Sequence, residues 1–260
     1  MDYFGFCKGI KNLNLPNLKE LDVYEGFFAE FYNKCANEKF DIDLYLSLAN
    51  VYGSKVLELA CGSGRVLIPL LENGHEATGL DLSQDMLNIL QRKCIDKFEN
   101  VKLVCANMAE YISEEKYDMV ILSQGSLCLL KDNEDRIKIF RNTYKNLRDG
   151  GLFVFNYIDS SFENITVGEL KPKYFFSATQ KSFIILTEKI WNDKSKSVIN
   201  LYGEEITRTG EVYRYLGNTT KYLLSKSLID IIISESGFTK IKDYTIEIPE
   251  GIMRFELLKK

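Results

Sequence analysis

From about Asn50 onward the chain alternates short apolar runs, rich in β-branched residues, with longer stretches whose apolar residues recur every three or four positions. The runs KVLELA (55–60), EATGLD (76–81), VKLVCA (101–106), YDMVILS (117–123) and GLFVFNYI (151–158) read as strands buried on both faces, as in a parallel sheet covered by helices above and below. Between them, GRVLIPLLENG, SQDMLNILQRKCIDKF and EDRIKIFRNTYKNLRDGG carry helical spacing, and several close on a glycine or asparagine suited to a helix end. This alternation predicts βαβ units and an α/β fold. Ser83 and Asp132 or Asn133 stand where N-caps belong. Pro69, inside the first helical stretch, predicts an irregular start there.

After residue 158 the pattern changes. A loop with Gly168 and Pro172 is expected, then strands near 182–191, 197–207 and 211–220, whose short separations favour an antiparallel meander. The helix SKSLIDIIISESG, closed by Gly237, and the strands FTKIKDYTIEI and IMRFELLKK return the chain to the α/β pattern. The expected organisation is a helical segment over 1–49, with FFAEFYNKC and DLYLSLANVYG as amphipathic pieces, an α/β domain over 50–165 and 221–260, and an inserted meander over 166–220.

Hydrophobic residues make up 45% of the 260 positions, enough for a large buried core, so a disordered chain is excluded. With 33 basic against 37 acidic residues the formal charge is −4, which offers no broad footprint for a polyanion, and nucleic acid is not an expected partner. The six cysteines form no Cys-x-x-Cys pair, so no metal site and no disulfide framework is expected. No targeting segment and no apolar run of membrane-spanning length is visible, which predicts a cytoplasmic protein without a membrane partner.

The most informative stretch is Val56 to Arg65, VLELACGSGR, a buried strand that breaks into a glycine turn and opens a helix. Gly62 and Gly64 let backbone approach a ligand, and a helix N-terminus offers free N–H donors. A dinucleotide fingerprint needs a third glycine where this chain has Leu67, so the loop departs from the pyrophosphate pattern. Asp81, at the end of the next strand and 17 positions after Gly64, suits the two hydroxyls of a ribose. A nucleoside ligand follows.

ELACGSGR (58–65) followed by GLDLSQDML (79–87) resembles the first two motifs of the class I S-adenosylmethionine-dependent methyltransferases, and the likeness extends through Asn107-Met108, YDMVILS and LRDGGL (147–152). The resemblance implies a Rossmann-like, doubly wound, seven-stranded and mostly parallel sheet, with the antiparallel β meander inserted after the fifth strand. It implies S-adenosyl-L-methionine as cofactor and S-adenosyl-L-homocysteine as product. Carried over by position, Glu58, Ala60, Gly62 and Gly64 surround the methionine part, Arg65 reaches its carboxylate, and Asp81 holds the ribose. Leu82, Met86 and Met108 belong to the nucleoside side, where Asn107 supplies an amide oxygen in place of the family's usual acid. Ser123 and Gln124 lie where cofactor and substrate meet. Tyr32, with Tyr24 and Tyr45, is similar to the aromatic entry helices that close over the cofactor in small-molecule members. Tyr157, Tyr213, Arg214 and Tyr215 are candidates for the substrate side, which the insertion is expected to form.

His75, the only histidine, reads as a turn residue at the far edge of the sheet, and Cys61 as a packing residue. No motif names a catalytic base. The expected activity is in-line methyl transfer to an N, O or C nucleophile of a small molecule, by a monomer or homodimer. The alternatives are a non-catalytic cofactor-binding or sensing protein and an NAD-dependent oxidoreductase. A valine at Gly62 or Gly64 is expected to block the cofactor while leaving the fold standing.

Overall fold

The computed structural model describes residues 3–35, 38–99, 101–160, 171–176, 182–192, 196–248 and 251–260, the segments 171–176 and 182–192 as backbone only. The chain opens with α1 (Gly5–Asn12), β1 (Leu18–Asp22), α2 (Gly26–Cys35) and α3 (Ile42–Tyr52). The alternating region follows as β2 (Lys55–Leu59), α4 (Leu67–Glu72), β3 (Glu76–Asp81), α5 (Gln84–Cys94), β4 (Lys102–Cys105), β5 (Tyr117–Leu122), α6 (Asn133–Asn146) and β6 (Leu147–Ile158). Four long strands, β7 (Lys171–Phe176), β8 (Ser182–Asn192), β9 (Lys196–Ile206) and β10 (Val212–Tyr222), precede α7 (Lys226–Ser234), β11 (Thr239–Ile248) and β12 (Gly251–Lys259).

The larger sheet has the order β11-β12-β6-β5-β2-β3-β4. Strands β2 to β6 pair in parallel, and β12 and β11 add antiparallel at one edge, so the expected seven-stranded, mostly parallel sheet is present. Residues 56–59 of β2, 119–122 of β5 and 151–158 of β6 are buried, which explains their unbroken apolar sequence. Chain direction around the sheet reverses between β2 and β5, because β3 and β4 lie to one side and β6 to the other. The carboxyl ends of β2 and β5 therefore border the crevice where open α/β sheets take ligands. The stretch does begin irregularly: Gly64 to Val66 lie in turns, and α4 is regular only from Leu67, which puts Pro69 in the first turn, where its missing N–H is not needed. Ser83 caps α5 through Oγ, 3.2 Å from the Met86 N–H. Asp132 stands at the N-cap of α6 without a side-chain bond to the helix, and Asn133 instead accepts from Arg136.

The chain divides into two compact units, residues 33–162 with 223–260, and residues 1–32 with 163–222. The expected helical segment over 1–49 is thus split, and it contains a strand: β1 runs parallel to β10 in the five-stranded order β1-β10-β9-β8-β7. LKELD gave no strand signal because only Leu18 and Leu21 of its side chains are shielded, and an edge pairing supplies its backbone bonds. The meander itself is antiparallel as expected. Pro172 lies in β7 and not in a loop; β7 is the far edge strand, where a missing N–H is tolerated. Gly168 lies outside the described residues. Alternate side chains of β9 and β10 serve two small cores: Tyr202 and Leu216 pack with Tyr3 and Cys7 of the α1 region, while Leu201 and Tyr215 pack with Phe27 and Phe28 of α2. Gly203 makes this close packing feasible, since a Cβ there would run into the Phe27 ring.

Candidate cofactor and active site

Strand β2 ends at Leu59, and the chain turns through left-handed residues Ala60 (φ +53°), Gly62 (φ +53°) and Gly64 (φ +89°) before α4 begins. Two cross-links hold this turn from below. The Cys61 N–H donates to the Leu80 carbonyl at 2.9 Å, and Lys93 Nζ of α5 donates to the Ser63 carbonyl at 2.8 Å. A Cβ on Gly62 would meet no atom within 4 Å, so the loop leaves open space at that glycine. A Cβ on Gly64 would collide with Leu90 Cδ1 and stand 3.1 Å from Ile68 Cδ1. The two glycines, expected to act alike, differ: Gly62 borders free space and Gly64 is needed for helix packing.

Asp81 closes β3 beside this loop. Its Oδ2 accepts from the Gly62 N–H at 2.7 Å and its Oδ1 from the Ser83 N–H at 2.8 Å, so one carboxylate fixes the glycine turn and the start of α5. Burial pushes its pKa up, against the lowering effect of those backbone donors. The next residue, Leu82, exposes 73% of its surface although it is a large apolar side chain adjoining a buried core. An aromatic base stacked there would cover it. Met86 is 1% exposed on α5 and is a packing residue, on the stripe that Leu90 and Cys94 also bury. Asn107 Oδ1 is taken up by the Ala109 N–H at 2.9 Å, and Met108 is half-buried against the core.

Arg65 was expected to hold a ligand carboxylate, and the carboxylate it holds is that of Asp41. Nη1 pairs with Oδ1 and Nη2 with Oδ2 at 2.9 Å. Nη1 also donates to the Glu38 carbonyl at 3.0 Å and Nη2 to Ser123 Oγ at 3.3 Å, so the guanidinium joins the segment before α3 to the loops after β2 and β5. Asp41 was missed in the sequence. It occupies the N-cap of α3 without capping it, because its buried carboxylate turns to Arg65, a choice that spacing alone does not reveal.

Glu58 is 1% exposed in β2, and its Oε2 has no hydrogen-bond partner among the described residues. Burial pushes its carboxyl up to about 8, Arg65 opposes this, and Asp41 and Asp81 add to it. The folded chain therefore binds a proton at Glu58 between the ordinary 4.5 and about 8, where the unfolded chain has released it, and stability falls as pH rises through that window. Denaturant unfolding at pH 5 and pH 8 should show a drop of order a few kcal/mol that Glu58→Gln abolishes. A slope unchanged in the variant would remove Glu58 as its source.

At the end of β5 the chain passes through Ser123, buried, and then Gln124 (φ +58°) and Gly125 (φ +65°). The Gly125 N–H donates to Asn156 Oδ1 at 2.6 Å, and Asn156 Nδ2 donates to Tyr45 Oη at 3.1 Å. Tyr45 is therefore a fully buried core residue of α3 and not an entry aromatic. Tyr157 is likewise buried, with Oη 3.5 Å from Glu256 Oε1 and its ring stacked 6.2 Å from Phe155, so it is no pocket residue.

The remaining candidates belong to the second unit. Tyr32 packs edge-on against Tyr24 at 5.5 Å. Tyr215 stacks on Phe27 at 4.5 Å and donates to Glu205 at 3.2 Å. Arg214 pairs with Glu204 at 3.3 Å and donates to the Pro16 carbonyl at 3.1 Å, which secures the turn before β1. Tyr215 and Arg214 thus have packing and tethering partners, and Tyr213 is half-buried on the Tyr215 face. His75 is buried just before β3, at the opposite end of that strand from Asp81. Cys61 is a buried thiol whose pKa burial raises, as a packing residue should be.

A family model described as a methyltransferase domain matches residues 56–151. YqeM of Bacillus subtilis (strain 168), whose methyltransferase name is provisional, is 26% identical over 180 residues, covering 68% of this chain and 71% of the relative. Among solved structures, a S-adenosylmethionine-dependent methyltransferase from Clostridium acetobutylicum superposes with TM-score 0.68 at 19% identity, over 89% of this chain and 97% of that one. The sugar N-methyltransferase KedS8 from Streptoalloteichus reaches TM-score 0.74 at 16% identity, over 90% and 94%. The matched domain begins in β2 and ends in β6 and takes in the glycine turn, Asp81 and Gln124, so the chain carries a methyltransferase domain over residues 56–151, on a fold shared with S-adenosylmethionine-dependent methyltransferases.

Proposed function

We propose that the enzyme methylates a nucleophilic atom of a small molecule, with the glycine turn and Asp81 holding the cofactor. The observation that carries this reading is the coupling of Gly62 to Asp81: one carboxylate sets the loop that borders open space and stands at a strand end beside an exposed Leu82. Such a cradle suits a ribose at Asp81, a base on Leu82 and the amino-acid portion along Ala60 to Gly62. Asn107 and Met108 lie on the base side and Ser123 on the side of the transferred methyl. Bound S-adenosylmethionine supplies a methyl already activated on sulfonium. The chain's own groups align the nucleophile, keep water away and neutralise nearby charge. Arg65, closed by Asp41, contributes a neutral pair rather than a free cation. The acidic balance of the chain and its likeness in fold to a sugar N-methyltransferase support a small substrate.

The test is incubation of the protein with methyl-labelled S-adenosylmethionine and a metabolite extract. Labelled low-molecular-weight product is expected. Cofactor binding without incorporation into any small molecule would overturn this reading in favour of a sensing role.

A further inference from the structure

Gln124 combines three features that packing does not account for. Its backbone is left-handed at φ +58°, a conformation that costs a non-glycine residue free energy and that glycine would adopt freely. Its Oε1 is buried with no hydrogen-bond partner among the described residues, which costs more. And the neighbouring Gly125 N–H is clamped by Asn156, itself anchored by Tyr45, so the turn is held rigidly in this unfavourable form. Strain kept in place by a buried network, at the carboxyl edge of a parallel strand, is the pattern of a residue retained for its side chain. Ser123, one position earlier, is tied to Arg65 at the end of the glycine turn, so Gln124 borders the cofactor cradle.

We propose that Gln124 Oε1 is the hydrogen-bond acceptor for the attacking atom, and that the substrate is an amine bearing an N–H. This deepens the small-molecule reading above and rests on it. The choice of amine follows from the groups nearby. Asp41 is committed to Arg65, Asp81 to two backbone N–H groups, and the Tyr45 hydroxyl to Asn156, with a pKa that burial drives upward. Among the described residues of this unit, then, these two carboxylates and the phenol are occupied, and Glu58, whose Oε2 has no partner, is held protonated by burial up to about pH 8, whereas a hydroxyl or carbon nucleophile needs a base during attack. A neutral amine does not. Its lone pair forms the N–C bond as the C–S bond breaks, that bond's electron pair passes to sulfur to leave the neutral thioether, and the new ammonium releases its proton to water. An acceptor on the N–H aims the lone pair at the methyl.

Sinefungin, which carries a protonated amine where the cofactor carries its methyl sulfonium, probes this acceptor without a known substrate. Calorimetry would compare sinefungin with S-adenosylhomocysteine on the full chain and on Gln124→Met, of similar length but with no acceptor, and Gln124→Glu, which keeps one. Gln124→Met is expected to lower the preference for sinefungin about tenfold or more, with S-adenosylhomocysteine affinity within about twofold and Gln124→Glu restoring the preference. An unchanged preference in Gln124→Met overturns the proposal. So does a parallel loss for both ligands, which would make Gln124 a loop-shaping residue. If the unmodified chain binds neither ligand, the cofactor reading itself falls, an outcome distinct from the other two.

Discussion

Asp81→Ala is expected to weaken S-adenosylmethionine binding by about tenfold to more than a hundredfold, from the loss of charge-assisted bonds worth about 1.5 to 3 kcal/mol. The same carboxylate also accepts from Gly62 and Ser83, so its removal leaves two N–H donors without partners and frees the glycine turn. Stability should therefore fall as well, by about 1 to 3 kcal/mol. Asp81→Asn, whose single amide oxygen replaces only part of this, should lie between the two in both respects. Calorimetry together with thermal unfolding checks this. A folded alanine variant with unchanged affinity would take Asp81 out of the cofactor site.

Gly64→Val should cost about 3 kcal/mol or more and leave little folded protein, since the branched side chain meets both Leu90 and a backbone angle of +89°. Gly62→Val faces only the backbone cost, because no atom lies within 4 Å of the added Cβ. That variant should remain folded and lose cofactor affinity. Denaturant unfolding of both, with calorimetry on whichever folds, separates the two roles. Equal stability losses would mean that the space at Gly62 is not free for a ligand.

The α/β framework was legible because each element is locally determined. Strands such as VLEL and MVIL are buried on both faces, so their apolar runs are continuous, and α5 carries its own N-cap in Ser83. The glycine turn and Asp81 were legible for a similar reason: a left-handed turn and an acid at a strand end are local requirements that residue type reveals.

Other features depend on which distant groups meet, and no local pattern encodes that. Arg65 pairs with Asp41, 24 residues earlier, and so turns inward a guanidinium that position alone assigned to a ligand. Tyr45 and Tyr157 look like pocket aromatics in the sequence, yet hydrogen bonds to Asn156 and Glu256 give their hydroxyls buried partners that free them from water. LKELD becomes a strand only because β10 presents an unpaired edge to it, and 1–49 splits because its first part follows that sheet and its last part follows α3. The sequence by itself determined the elements and the cofactor loop, since these rest on short-range sterics and burial. The tertiary structure alone decided which charges, hydroxyls and glycines stay available to a ligand, because that depends on partners far along the chain.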